Sequence, residues 1–145
     1  MSLDFGAVIP FVNHLGFTME RFEGGESTLH FAPRPEHCNS FGVTHGGVLM
    51  TLLDVGMATA ARSARAGMGV VTIEMKTSFM RPAPVQDGAT LMARGSVLHA
   101  TGSMVFCEGR VFGPDGQLCA QSTGTFKYVP AAERAGAAKG PLPTD

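Results

Sequence analysis

Asp54 is hard to explain without chemistry. It stands in an otherwise apolar run of Val, Leu, Met, Thr, Gly and Ala over residues 48–61, where an unpaired buried carboxylate would be strongly disfavoured. Its helical neighbours three and four positions away, Met50, Thr51, Met57 and Ala58, include no base, so no local ion pair answers it. Either a distant Arg, backbone donors or solvent satisfies this carboxylate, or it is a general base or nucleophile. Just upstream lies His45-Gly46-Gly47. Free N–H groups at a helix start can polarise a carbonyl or hold an oxyanion, and glycine lets a substrate approach the backbone closely. The His45 side chain itself reads as a packed, hydrogen-bonded structural histidine. A zinc site from His37, Cys38 and His45 would need a spacing that fits no familiar ligand pattern.

These residues need a helix and something to bury it. Residues 46–66 hold no proline and are rich in Leu, Met and Ala, which predicts a helix about 30 Å long. The run 48–61 is apolar around nearly its whole circumference, so the helix is expected to be buried on all sides. Before it, Glu23-Gly24-Gly25-Glu26 separates strand-like pieces at 18–22 and 27–32 as a hairpin turn would, and 33–44 reads as loop. After it, turn signals divide the chain into strands near 70–80, 90–98, 103–112 and 117–129. In 103–112, Val105, Cys107 and Val111 alternate with Glu108 and Arg110, the pattern of an antiparallel strand with one wet face. A short leading helix is expected over 4–13, limited by Pro10, and 131–145 reads as a flexible tail. One long helix between an opening hairpin and four further strands is an α+β plan, with a single sheet curled around the helix.

Composition bounds the partners. The chain has 145 residues, 44% hydrophobic and 16% charged, with a net charge of −1. That length suits one domain, and the charge argues against a nucleic-acid or membrane binder. Cys38, Cys107 and Cys119 show no CxxC spacing and read as reduced thiols. The first 17 residues contain Asp4 and no Lys or Arg, unlike a signal peptide, and the run 48–61 is too short to span a bilayer. A cytoplasmic location is expected.

The motif from Asn39 through Phe41-Gly42-Val43-Thr44-His45-Gly46-Gly47, then Asp54, Val71-Thr72-Ile73-Glu74-Met75 and Phe79-Met80-Arg81-Pro82, resembles hot-dog-fold acyl-CoA thioesterases of the phenylacetyl-CoA (PaaI-type) branch over about residues 12–128. The resemblance implies a hot-dog domain over 1–130, with about six antiparallel strands around one central helix. It also implies homodimers, and often dimers of dimers. On this resemblance, Asn39 helps hold water and thioester, the Gly46 N–H meets the thioester carbonyl, Asp54 is the catalytic carboxylate, and Thr72 assists it. His45 matches the motif histidine. By strand parity alone, however, Thr72 falls with Glu74 and Lys76 and opposite Val71, Ile73 and Met75, as an outward residue would. Candidate substrate contacts are His45, Gly47, Arg81 and His99, with Arg81, His99 and Arg94 considered for the CoA phosphates. The substrate implied is an aryl-acetyl or medium-chain acyl-CoA, with no cofactor, metal, nucleic acid or membrane.

Gly46 and Asp54 lie eight positions apart on one helix, so about 12 Å separates their backbones. They cannot both reach one carbonyl from the same chain. Two helices running antiparallel across a two-fold axis would build two shared sites. Competing readings are a hot-dog enoyl hydratase or dehydratase with His45 and Asp54 as its acid–base pair, and a non-catalytic acyl-CoA-binding protein. The proline-rich motif of such dehydratases does not follow His45.

Overall fold

The computed structural model describes residues 3–131. Six strands, β1 (Thr18–Glu23), β2 (Glu26–Phe31), β3 (Met68–Phe79), β4 (Leu91–Ala100), β5 (Met104–Phe112) and β6 (Leu118–Pro130), form one antiparallel sheet in the order β1-β2-β4-β5-β6-β3. The long helix, α2 (Gly46–Ser63), packs across five of them and also meets β1. Gly24 and Gly25, with φ of 60° and 84°, make the two-residue β1–β2 turn that a right-twisted hairpin favours. The Gly25 N–H donates to Ser63 Oγ at 2.9 Å, tying that turn to the end of the helix.

The core forms where Leu49, Leu52, Leu53, Met57, Ala60 and Ala61 of α2 bury against Leu29, Phe31, Leu91, Val105, Val111 and Phe126 of the sheet. Glycines let the helix sit close. Gly95 and Gly109 face each other across β4 and β5, and a Cβ on Gly95 would lie 2.3 Å from the Gly56 carbonyl oxygen.

Two expectations are corrected. Within one chain the helix is buried on one side only: Gly47, Met50, Thr51, Asp54, Val55, Ala58 and Arg62 form an open or half-open stripe. Small Ala and Gly residues gave the run its all-round apolar character without requiring cover on every side. The leading helix is α1 (Pro10–Leu15), not 4–13. Pro10 starts it, as a residue with fixed φ and no N–H does well at a first turn. Upstream, Gly6 has φ 71° and donates its N–H to Asp4 Oδ1 at 2.6 Å, a turn that replaces helix. The tail expected over 131–145 lies, apart from Ala131, outside the described residues. No described helix is long and apolar enough to cross a membrane. The three cysteines form no disulfide, and burial pushes the Cys107 thiol up to about 12.

Candidate active site

Asp54 sits on the open stripe of α2, half-buried, and accepts a 2.6 Å hydrogen bond from Thr72 Oγ1 on β3. Burial raises its carboxyl above the usual carboxylate range, and the Thr72 bond partly offsets this by favouring the charged form. Asp54 makes no ion pair with Lys, Arg or His among the described residues. The distant-arginine account of this carboxylate is thereby replaced by a hydroxyl.

Strand parity misplaces Thr72 because β3 is bulged. Its pairing with β6 shifts between Thr72 and Glu74, leaving Ile73 as an extra residue. Thr72 therefore pairs with buried Phe126, while Glu74 pairs with Thr125 and accepts its hydroxyl at 3.0 Å. One inserted residue flips the side on which its neighbours fall. Val70 and Met75, five positions apart, both pack on the core, as the extra residue between them allows.

The start of α2 supplies donors. His45 is its N-cap, and His45 Nδ1 accepts the Gly47 N–H at 2.9 Å, so the histidine caps the helix and occupies the Gly47 donor. The Gly46 N–H meets no acceptor among the described residues. A Cβ on Gly46 would lie 3.4 Å from the ring of Phe79, a motif residue to which the sequence reading assigned no role. Asn39 Oδ1 accepts the N–H groups of Phe41 and Val43 at 2.9 and 3.3 Å. This orients the amide with its NH2 group left as a donor. Asn39, Gly46, Phe79 and Arg81 share a cleft of about 320 Å³.

Asp54 and Thr72 line a different cavity, of about 510 Å³, with Val55, Ala58, Val70 and Ile9. Within one chain the structure joins Asp54 to Thr72 and Gly46 to Asn39 and Arg81, but it does not join the two groups. His99 belongs to neither cavity. It is exposed on β4 beyond an irregularity between Val97 and His99, with its ring stacked on Phe106 at 6.2 Å. Arg94 lies 5.7 Å from the Phe112 ring, also away from both. Within one chain His45 and Asp54 are not joined, and His45 Nδ1 is engaged in capping. Among the described residues, no three His, Cys, Asp or Glu side chains group so as to hold a metal ion. His37 instead accepts the Arg34 N–H through Nδ1 at 2.9 Å.

The chain is 27% identical over 104 residues, 72% of each sequence, to a Saccharolobus solfataricus protein whose name is a provisional esterase assignment. The structure of the E. coli PaaI protein from the phenylacetic acid degradation operon is similar at a TM-score of 0.76 and 22% identity, covering 82% of this chain and 83% of that one. A Streptococcus mutans protein in a structure bound to acetyl CoA is similar at a TM-score of 0.72 and 24% identity, covering 79% and 89%. At these identities the likeness is one of fold, and the sheet wrapped on α2 is the hot-dog fold. The family model for the thioesterase superfamily matches residues 41–120, a span that holds Gly46, Asp54 and Thr72 and begins after Asn39. With more than half of its length matched in this way, the chain belongs to the thioesterase superfamily and is a thioester hydrolase.

Proposed function

We propose that the protein hydrolyses an acyl-CoA to a carboxylic acid and free CoA, at sites shared between two protomers. One observation carries this reading. The Asp54 carboxylate, held at 2.6 Å by Thr72, and the unoccupied Gly46 N–H lie in separate cavities of one chain. A thioester needs both at one carbonyl, and two antiparallel α2 helices supply them. The Gly46 N–H of one protomer then polarises the carbonyl oxygen, with the Asn39 amide donating beside it. Asp54 of the other protomer takes a proton from water as it attacks, and the tetrahedral intermediate expels the CoA thiolate. Alternatively, Asp54 attacks the carbonyl itself and the C–S bond breaks to release the CoA thiolate, giving a mixed anhydride that water opens to the carboxylic acid and free Asp54. Thr72 orients the carboxylate in either case.

The reaction as drawn uses no cofactor beyond the CoA of its substrate. Arg81, beside Gly46 in its cleft, is the candidate partner for a CoA phosphate, supported by the structural relative bound to acetyl CoA. Homodimers, and tetramers as pairs of them, follow from the shared site and the resemblance, and a cytoplasmic location is supported by three cysteines without a disulfide.

An acyl-CoA panel assayed for released thiol tests the activity. Hydrolysis releases thiol, an enoyl hydratase changes only the enoyl absorbance, and a binding protein does neither. Mixing two inactive parents tests the shared site. Asp54→Asn and Gly46→Pro, the latter removing the backbone donor, are dissociated and mixed after each is shown to fold and dimerise. Random pairing makes half the dimers mixed, each with one site of two restored, so activity should recover to at most about a quarter of wild type. Well-folded mixed dimers that stay dead would place the site within one chain.

A further inference from the structure

His37 is a buried ionisable group that the proposed reaction does not use. It is 5% exposed, and its ring packs on Phe31 of β2 with centroids 5.1 Å apart. Nδ1 accepts the Arg34 N–H at 2.9 Å, so the proton of the neutral ring sits on Nε2, an atom without a hydrogen-bond partner among the described residues. The Nδ1 bond closes the 3-10 turn Pro35–His37, in which the His37 N–H also donates to the Arg34 carbonyl at 2.9 Å. All of these contacts are made within one chain.

Residues 37–45 form a closed ribbon that runs from this turn to the start of α2. The His37 carbonyl accepts the His45 N–H at 2.8 Å, Cys38 bridges Thr44, and the Asn39 N–H donates to the Val43 carbonyl at 2.8 Å. Gly42, in the left-handed region at φ 75°, turns the ribbon. Asn39 thus stands two residues from His37 on one arm, and Gly46 follows His45 at the end of the other. One ribbon presents both donors proposed for the thioester carbonyl, and the imidazole anchors its end.

A second proton on the ring must go to Nδ1, since Nε2 already carries one. Nδ1–H would then face the Arg34 N–H, two donors with no acceptor between them and little access for water. The charged groups around the ring do not relieve this. Burial holds its pKa below the usual imidazole range, Arg34 adds to that, Glu36 on the same turn opposes it, and His14 of α1 lowers it further. Glu36 is itself engaged by the Arg34 guanidinium at 2.7 Å. From β2 comes the uncharged Phe31 ring, and His45 across the ribbon engages its own Nδ1 with Gly47.

We infer that His37 is a positioning residue: its neutral imidazole fixes the ribbon that presents the Asn39 amide and the Gly46 N–H, and protonation of the ring releases both donors. The inference rests on the thioester-hydrolase reading of that cleft. Because the folded ring takes a proton less readily than an unfolded one, the ribbon's stability is full above the unfolded-state value and is lost as pH falls through the folded one. Activity should therefore fall in acid through two protonations, one at Asp54 and one at His37.

Two measurements test this. In wild type, amide hydrogen exchange of the Asn39 and His45 N–H groups is followed against pH, beside the NMR titration of the His37 ring. Their protection factors should collapse at the midpoint of the ring while β5 amides stay protected. In thiol-release assays, His37→Leu removes the acceptor and should lower kcat/KM at neutral pH at least about tenfold, the cost of one orphaned donor. His37→Gln, whose amide oxygen can take the Arg34 N–H without titrating, should recover most of that loss and reduce the acid limb from two protons toward one. Ribbon amides that stay protected after the ring has titrated, a ring that stays neutral until the whole chain unfolds, or a His37→Gln limb superimposable on wild type would each overturn the positioning role. If the variants do not fold, the exchange measurement on wild type decides alone. No thiol release from any acyl-CoA would instead overturn the hydrolase reading, with the exchange measurement still reporting whether His37 governs the ribbon.

Discussion

The two cavities along α2 are built on opposite principles. Around Gly46 the candidate group is a backbone N–H, left open because the chain enters the helix there and His45 caps the neighbouring donor instead. Around Asp54 it is a side chain, half-buried and bonded to the Thr72 hydroxyl. A backbone donor depends on conformation and tolerates a change of residue type so long as the approach stays open. A tuned carboxylate depends on residue type and surroundings together. Sequence variation should therefore damage the second cavity more readily than the first.

The sharpest way to break that contrast is Asp54→Asn. It preserves shape and the acceptor for Thr72, and it should lower turnover by at least about a hundredfold. Thermal melting supplies a second readout. Burial raises the folded-state pKa of Asp54 above its unfolded value. The native state thus keeps a proton that the unfolded chain has already released, and stability is lost as pH rises through that window. The variant should melt above wild type at pH 8, with the gap closing as pH falls below the unfolded-state value. Near-normal turnover in a folded variant would remove the carboxylate from the mechanism.

Asn39→Asp probes the other cavity. It retains an oxygen for the Phe41 and Val43 N–H groups but replaces the NH2 donors with negative charge where carbonyl negative charge develops. We expect a loss of at least about tenfold, smaller than for Asp54→Asn, with melting little changed. A variant that turns over like wild type would leave Asn39 as a loop-forming residue only.

Thr72→Val should have the smallest effect on rate, a few-fold at high pH, because the hydroxyl orients the carboxylate without touching the carbonyl. Its clearer signature is in the pH profile. The Thr72 bond lowers the Asp54 pKa against the effect of burial, so its removal should move the acid limb of kcat/KM to higher pH. An unmoved limb would mean that Thr72 does not govern the carboxylate's ionisation.

Much of the molecule was legible wherever a property is local. The alternation of Val105, Cys107 and Val111 with Glu108 and Arg110 matches the buried and wetter positions of β5, because strand faces repeat every two residues. Asp54 stood out because its helical neighbours are fixed by spacing, and none is a base. Thr72 was not legible by parity because Ile73 is an extra residue in β3 opposite β6, and a bulge is defined only by the partner strand. Nor could residue types distinguish Gly46 from Gly47, since the difference lies in which N–H the His45 ring accepts.

Residue order alone determined the fold plan, the candidate residues and the separation of Gly46 from Asp54, because hydrophobic period, turn chemistry and helix rise are properties of a chain segment by itself. Tertiary structure decided which side of α2 is left open, that Thr72 reaches Asp54, that Asn39 shares a cleft with Gly46, and that His99 stands apart. These depend on how the sheet registers and curls against the helix. Register and curvature arise from pairings between residues such as Thr72 and Phe126, which are 54 positions apart, beyond the reach of any local pattern.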